Sequence, residues 1–273
     1  MPQQVYFLDQ FQLLDHHDPL YMFAVDEWLA EQINESDAAI CHIWRHPQAF
    51  ILGAQDSRLP NIRQAVQWLQ GAGWHVAVRN SGGLAVPLDN GVVNISFIVP
   101  HQSGQQPDYW FDFEKMYQWI KKALQPTGKQ VERGLIQGAY CPGDYDLSID
   151  GWKFCGIAQR RKRKATIIQA FVIAEGDGVA RAELARNFYY IASNHYKEGQ
   201  FPDVTLESTA SLQQLTSLGK EAASSFAFAF KQEILRYFAM NSDRYIDISP
   251  HVDQINLLTQ KLHARYTMEG ETK

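Results

Sequence analysis

The sequence predicts an α+β fold, a mixed β-sheet core flanked by helices. Three observations point there. Amphipathic helical stretches and short apolar strands follow one another irregularly, not in strict βαβ repetition. An Asp150-Gly151 dipeptide joins two strand-like runs, the mark of an antiparallel hairpin. Apolar residues make up 45% of the 273 positions and charged residues 20%, enough for a sizeable core.

The elements follow in order. Tyr21 to Ile33 has apolar residues at three- and four-residue spacing behind Asp18-Pro19, which signals a helix start. Ala39 to Arg45 and Ala49 to Leu52 read as strands around His46-Pro47. Asn61 to Gln70 reads as a helix stopped by Gly71 and Gly73. Trp74 to Arg79 is a strand, Asn80 to Gly83 a tight loop, and Val92 to Val99 a buried strand. Phe113 to Leu124 is helical and ends before Pro126. Asp144 to Ile149 and Trp152 to Cys155 form the hairpin, and Ile167 to Ala174 is a strongly apolar strand. Ala180 to Ala192, Ser211 to Leu218 and Lys220 to Met240 are helical. The chain after Asn241 is more polar and reads as a further terminal helix. There is no repeat and no low-complexity linker.

Composition excludes several classes. A formal net charge of −5 argues against a general nucleic-acid binder. No apolar run approaches the roughly 20 residues that span a bilayer, and MPQQVYFLDQ does not read as a secretory signal. Three cysteines, Cys41, Cys141 and Cys155, are too few and odd in number for a disulfide framework. The expectation is a cytoplasmic enzyme or binding domain. The nine histidines show no zinc spacing, so no metal site is expected. His75, at the start of a strand, reads as a structural histidine or as one facing a site.

Four segments can carry chemistry. Arg79-Asn80-Ser81-Gly82-Gly83 follows a strand. Its glycines let backbone approach a ligand and Arg79 offers a fixed charge, or the segment is an ordinary turn. It is neither a Walker A loop nor a dinucleotide fingerprint. Cys141 stands in the turn Tyr140-Cys141-Pro142-Gly143, as an accessible nucleophile or an inert thiol. Lys153, in an otherwise apolar strand, snorkels to solvent or reaches into a site. Gly156 and Ala158 beyond it leave room for a ligand chain, while Cys155 reads as core. Arg160, Arg161, Lys162, Arg163 and Lys164 form a basic run, either a solvated sheet edge or a docking patch for an acidic partner.

Taken together and in order, these segments resemble the lipoate–protein ligase, octanoyltransferase and biotin–protein ligase superfamily. Met22 to Glu27 is similar to its first helix, with an M-x-x-D-E pattern. Trp44 to Gly53 and Gln55 to Arg58 resemble the strand pair that follows and its exit. Arg79 to Gly83 resembles the loop that wraps the acyl chain, and Asn94-Ile95-Ser96 the strand behind it. Lys153 to Arg160 resembles the K-x-x-G-x-A-Q-R segment. The resemblance covers about residues 1–240 and implies a biotin/lipoate ligase-like acyltransferase domain there, with 241–273 as a C-terminal helical tail.

The wording RNSGGLAVPLDNGVVNIS, then YCPGDYDLSI, then GIAQRR is most similar to the octanoyl-[glycine cleavage H protein]:protein N-octanoyltransferases. That resemblance implies that Cys141 carries the acyl group as a thioester and that Lys153 stabilises its thiolate. Arg79, Ser81, Gly82, Gly83, Gly156 and Ala158 would bind the acyl substrate. The implied partners are the glycine cleavage H protein as donor and lipoyl domains of 2-oxoacid dehydrogenase subunits as acceptors. No cofactor is implied, and no ATP. Leu84 replaces a third glycine of the ATP-dependent ligases, and Pro87-Leu88 replaces their aromatic-histidine pair. The alternatives are octanoyl-acyl carrier protein as donor, an ATP-dependent lipoate ligase, and a non-catalytic acyl-carrier-binding module.

Overall fold

A computed structural model describes residues 3–34, 38–101, 109–194 and 201–265. The chain runs β1 (Val5–Gln10), α1 (Tyr21–Gln32), β2 (Ala39–Trp44), β3 (Gln48–Leu52), α2 (Ile62–Gly71), β4 (His75–Val78), β5 (Val86–Asp89) and β6 (Val92–Pro100). It continues through α3 (Tyr109–Leu124), β7 (Glu132–Arg133), β8 (Leu147–Ile149), β9 (Trp152–Arg161) and β10 (Ala165–Ile173). It ends with α4 (Gly178–Ala192), α5 (Leu212–Leu215), α6 (Ala222–Tyr237) and α7 (Val252–Arg265).

A seven-stranded sheet has the order β1-β2-β6-β10-β9-β8-β7, and a three-stranded sheet the order β4-β3-β5. The larger sheet is antiparallel except where β1 lies parallel to β2. Successive side chains on a strand point to opposite faces. Ile40, Ile98, Ile167 and Phe171 therefore pack with α1, α2, α4, α7 and the smaller sheet. Cys41, Ile95, Phe97 and Ile168 pack on the other face with α3 and α6. Being covered on both faces explains the nearly unbroken apolar run of β6.

The mixed α+β architecture is the one the sequence predicts. The Asp150-Gly151 turn has φ +52° and +83°, the two positive values such a tight hairpin needs. α1 starts where Asp18 accepts a hydrogen bond from Leu20 N at 2.9 Å. Several elements differ from expectation. β1 was not anticipated, nor was β5, whose Pro87 is tolerated because β5 is an edge strand. β9 runs on to Arg161 instead of stopping at Cys155. Ser211 to Leu218 holds a single helical turn, closed by a capping box of Ser211 and Gln214. In the C-terminal segment, α7 buries Ile255 and Leu262 in the same core cluster as α1.

Candidate active site

A cavity of about 450 Å³ lies between α1, β3, β5 and the face of β6, β10 and β9. Strand register lays down its floor. Trp44, Asn94, Phe171 and Gly156 are successive cross-strand partners in one row, and His42, Ser96, Gln169 and Ala158 form the next. Phe23, Ile51, Val86 and Leu88 add apolar wall, and exposed Trp110 and Leu135 also line the cavity.

Cys141 reaches this cavity from a loop, in the left-handed region at φ +47°, a costly conformation for a residue with a side chain. Its sulfur accepts from Leu84 N at 3.2 Å and from Arg79 Nη2 at 3.4 Å. Gly83 lies between them at φ +96°. A Cβ on Gly83 would strike Arg79 Nη2 and stand 3.0 Å from the sulfur, so only glycine lets this loop close on the thiol.

The loop is braced from behind. Arg79 N donates to Leu52 O at 2.9 Å, and Arg79 Nη2 also donates to Leu84 O at 2.8 Å. Ala85 N donates to Tyr189 Oη at 3.2 Å, whose hydroxyl donates to Asp56 Oδ1 at 3.0 Å. Asp56 Oδ2 accepts from Gly53 N at 2.8 Å. Burial pushes the Asp56 carboxyl up to about 6, against the opposing pull of these hydrogen bonds and of Arg79.

Lys153 is fully buried. Its ammonium donates to Tyr140 O at 2.9 Å and Cys141 O at 2.7 Å, and pairs with Asp146 Oδ1 at 2.8 Å. Three donors meet three acceptors. Burial raises the Asp146 carboxyl, and the Lys153 charge works against that rise. The Lys153 donors hold the backbone that carries the thiol, and among the described residues the groups hydrogen-bonded to the sulfur are Arg79 and the Leu84 amide.

The other expected site residues separate into groups. Arg79, Gly82, Gly83, Gly156 and Ala158 line the cavity with Cys141. Ser81 is buried and is not among the lining residues. Gly156 does not leave its space to a ligand, because its missing Cβ would stand 2.5 Å from the Phe171 ring. It makes room for that ring, which becomes cavity wall. Cys155 and Cys41 lie in the core against α3 and α6, where burial pushes both thiols up. His75 stands beside His17 and His46, away from the cavity lining.

The basic run is partly engaged within the fold. Arg160 and Lys162 both pair with the buried Glu27 of α1, and Lys162 also reaches Glu31 at 3.1 Å. Lys164 donates to Glu31 O at 3.1 Å, while Arg161 and Arg163 are exposed. Sequence reasoning missed the Leu84 amide, Asp146 as the counter-ion of Lys153, and Glu27 as the anchor of the basic run. The Leu84 amide leaves no side-chain signal. Asp146 and Glu27 lay inside quoted motifs, but spacing alone did not pair them.

Residues 18–239 match the family model of the lipoyl protein ligase A/B catalytic domain. The chain belongs to this family. A Bacillus velezensis octanoyl-[GcvH]:protein N-octanoyltransferase is 41% identical, covering 76% of this chain and 74% of that one. A Listeria monocytogenes lipoyl-[GcvH]:protein N-lipoyltransferase is 38% identical, covering 77% and 76%. Among solved structures, a lipoate–protein ligase A bound with ATP superposes with a TM-score of 0.70 at 16% identity, over 97% of this chain and 95% of that one. At that identity the superposition shows the shared fold alone. Among the described residues no helix is long and apolar enough to cross a membrane.

Proposed function

We propose that this member of the family moves an octanoyl group between protein lysines. It takes the group from the glycine cleavage H protein and delivers it to the lipoyl domain of a 2-oxoacid dehydrogenase subunit, through a thioester on Cys141. The observation that carries this reading is the Cys141 sulfur on the wall of an apolar cavity, facing two N–H donors from the glycine loop. The names of relatives about 40% identical support the H protein as donor.

The sulfur attacks the carbonyl carbon of the donor's octanoyl amide. An S–C bond forms, the C–N bond breaks, and the thiol proton leaves with the lysine amine. In the second half the acceptor lysine attacks the thioester. A C–N bond forms, the C–S bond breaks, and a proton returns to sulfur. Arg79 and the Leu84 amide stabilise the thiolate by charge-assisted and neutral hydrogen bonds. Lys153 is a positioning residue that fixes the Cys141 backbone through its carbonyls. The apolar wall holds the chain at roughly 0.8 kcal/mol per buried methylene, with Gly82, Gly83 and Ala158 beside it and Gly156 seating Phe171. The carrier docks along Arg160 to Lys164, with its outward charge at Arg161 and Arg163. No cofactor takes part and ATP is not used, because exchange of one acyl bond for another needs no activating nucleotide.

Intact mass spectrometry with octanoylated H protein and no ATP tests this. The expected result is an octanoyl adduct that maps to Cys141 and is absent in Cys141→Ala. Labelling only by octanoyl-acyl carrier protein would transfer the donor role to that carrier, and no adduct from either donor would sink the thioester.

A further inference from the structure

Two buried groups behind the glycine loop take no part in the acyl exchange itself. Asp56, in the turn after β3, and Tyr189, on α4, are each 2% exposed, and neither lines the cavity. Both are tied to the Leu84 amide, one of the two donors on the Cys141 sulfur.

The peptide groups on either side of Leu84 are held separately. The one that joins Gly83 to Leu84 carries the N–H that meets the sulfur. Its carbonyl end rests on Gly53, where a Cβ would stand 2.0 Å from Gly83 O and 3.0 Å from Gly83 C. The one that joins Leu84 to Ala85 is held at both ends. Leu84 O accepts from Arg79 Nη2 at 2.8 Å, and Ala85 N donates to Tyr189 Oη at 3.2 Å. A single carboxylate reaches both supports. Asp56 Oδ2 accepts from Gly53 N at 2.8 Å, and Asp56 Oδ1 accepts from Tyr189 Oη at 3.0 Å. Peptide groups are planar, so holding them at these points fixes the direction of the Leu84 N–H. Direction matters, because a hydrogen bond weakens steeply as it bends. Burial pushes the Asp56 carboxyl up to about 6, so at neutral pH it is ionised and both oxygens accept. Arg79 is the cation that acts on it, which brings the second donor of the sulfur into the same network.

We propose that Asp56 and Tyr189 are positioning residues for the acyl exchange: they aim the Leu84 N–H at Cys141 and so set how readily the thiol becomes a thiolate. The thioester reading above supplies the use of that thiolate, and the inference rests on it.

The test measures alkylation of Cys141 by iodoacetamide against pH. Mass spectrometry of the Cys141 peptide keeps the buried Cys41 and Cys155 out of the signal. Tyr189→Phe retains the ring that stacks on Phe201 and removes only the hydroxyl. Its half-maximal pH is expected to lie roughly one unit above that of wild type, the shift that loss of an ordinary hydrogen bond gives. Asp56→Asn is an independent check with opposed contributions. Loss of the negative charge alone moves the midpoint down, loss of the brace moves it up, and an upward move is expected. With octanoylated H protein at neutral pH, both variants are expected to lower kcat several-fold and to leave KM for the carrier unchanged. Thermal unfolding checks that each variant is folded, and either one carries the comparison if the other does not fold. An unchanged midpoint in a folded variant, or a downward move in Asp56→Asn, overturns the inference. Wild type that is alkylated at Cys141 but takes no octanoyl group there overturns the thioester reading instead.

Discussion

Lys153 and Asp146 form an ion pair in which neither side chain is more than 2% exposed, and the lysine's other donors are taken by the carbonyls of Tyr140 and Cys141. Removing one member of a buried pair leaves an uncompensated charge and typically costs about 3–5 kcal/mol. Lys153→Met is therefore expected to lower stability in urea unfolding by that order. It is also expected to slow acylation of Cys141, because the loop that carries the thiol loses two anchors. The double variant Lys153→Met/Asp146→Leu should regain part of the stability and little of the acylation rate. Full recovery of both would mean that the pair is dispensable to the loop. The sulfur itself depends on other residues. Arg79 and Leu84 reach it from positions 62 and 57 residues away in sequence.

At the level of elements, α1, β9 and the glycine loop meet at one carboxylate. Glu27 on α1 pairs with Arg160 and Lys162, and accepts from Asn80 Nδ2 at 3.0 Å. Arg160 Nη1 also donates to Asn80 O. This knot ties the end of β9 to the loop that holds Arg79 and Gly83. A charge reversal within the run should therefore act differently at neighbouring positions. Lys162→Glu sets a second carboxylate against buried Glu27, and is expected to lower both the melting temperature and the rate of Cys141 acylation. Arg163→Glu, at an exposed position, is expected to leave the stability within about 0.5 kcal/mol of wild type. It should weaken carrier binding in a salt-dependent way. Carrier affinity unchanged by Arg163→Glu at low salt would remove position 163 from the docking surface. The basic run was legible as a unit. Its division into inward and outward members was not, because Glu27 lies more than 130 residues earlier in the chain.

On the scale of the whole molecule, the C-terminal segment closes the layer that contains the cavity. α7 packs on α1 through Ile255 and Leu262, and Trp28 Nε1 donates to Gln254 Oε1 at 3.0 Å. Phe7 of β1 exchanges backbone hydrogen bonds with Arg244 and Ile246 at 2.7 and 2.9 Å. Deleting residues 252–273 is expected to cost roughly 3–6 kcal/mol, from two buried side chains at about 1.5–3 kcal/mol each. Urea unfolding of the shortened chain checks this, and an undiminished midpoint would show that α7 adds nothing to the core. The sequence by itself determined the α+β class, the order of most elements and the family. Those properties are written in local periodicity, in turn dipeptides such as Asp150-Gly151, and in ordered motifs. β5 was hidden because Pro87 argues locally against a strand, and an edge position removes that objection only after the sheet forms. Only the tertiary structure decided that Lys153 holds the Cys141 backbone while Arg79 and the Leu84 amide hold its sulfur. It also decided that Phe171 fills the space left by Gly156. Each of these is a contact between distant segments, set by sheet register and loop closure, and spacing along the chain does not record it.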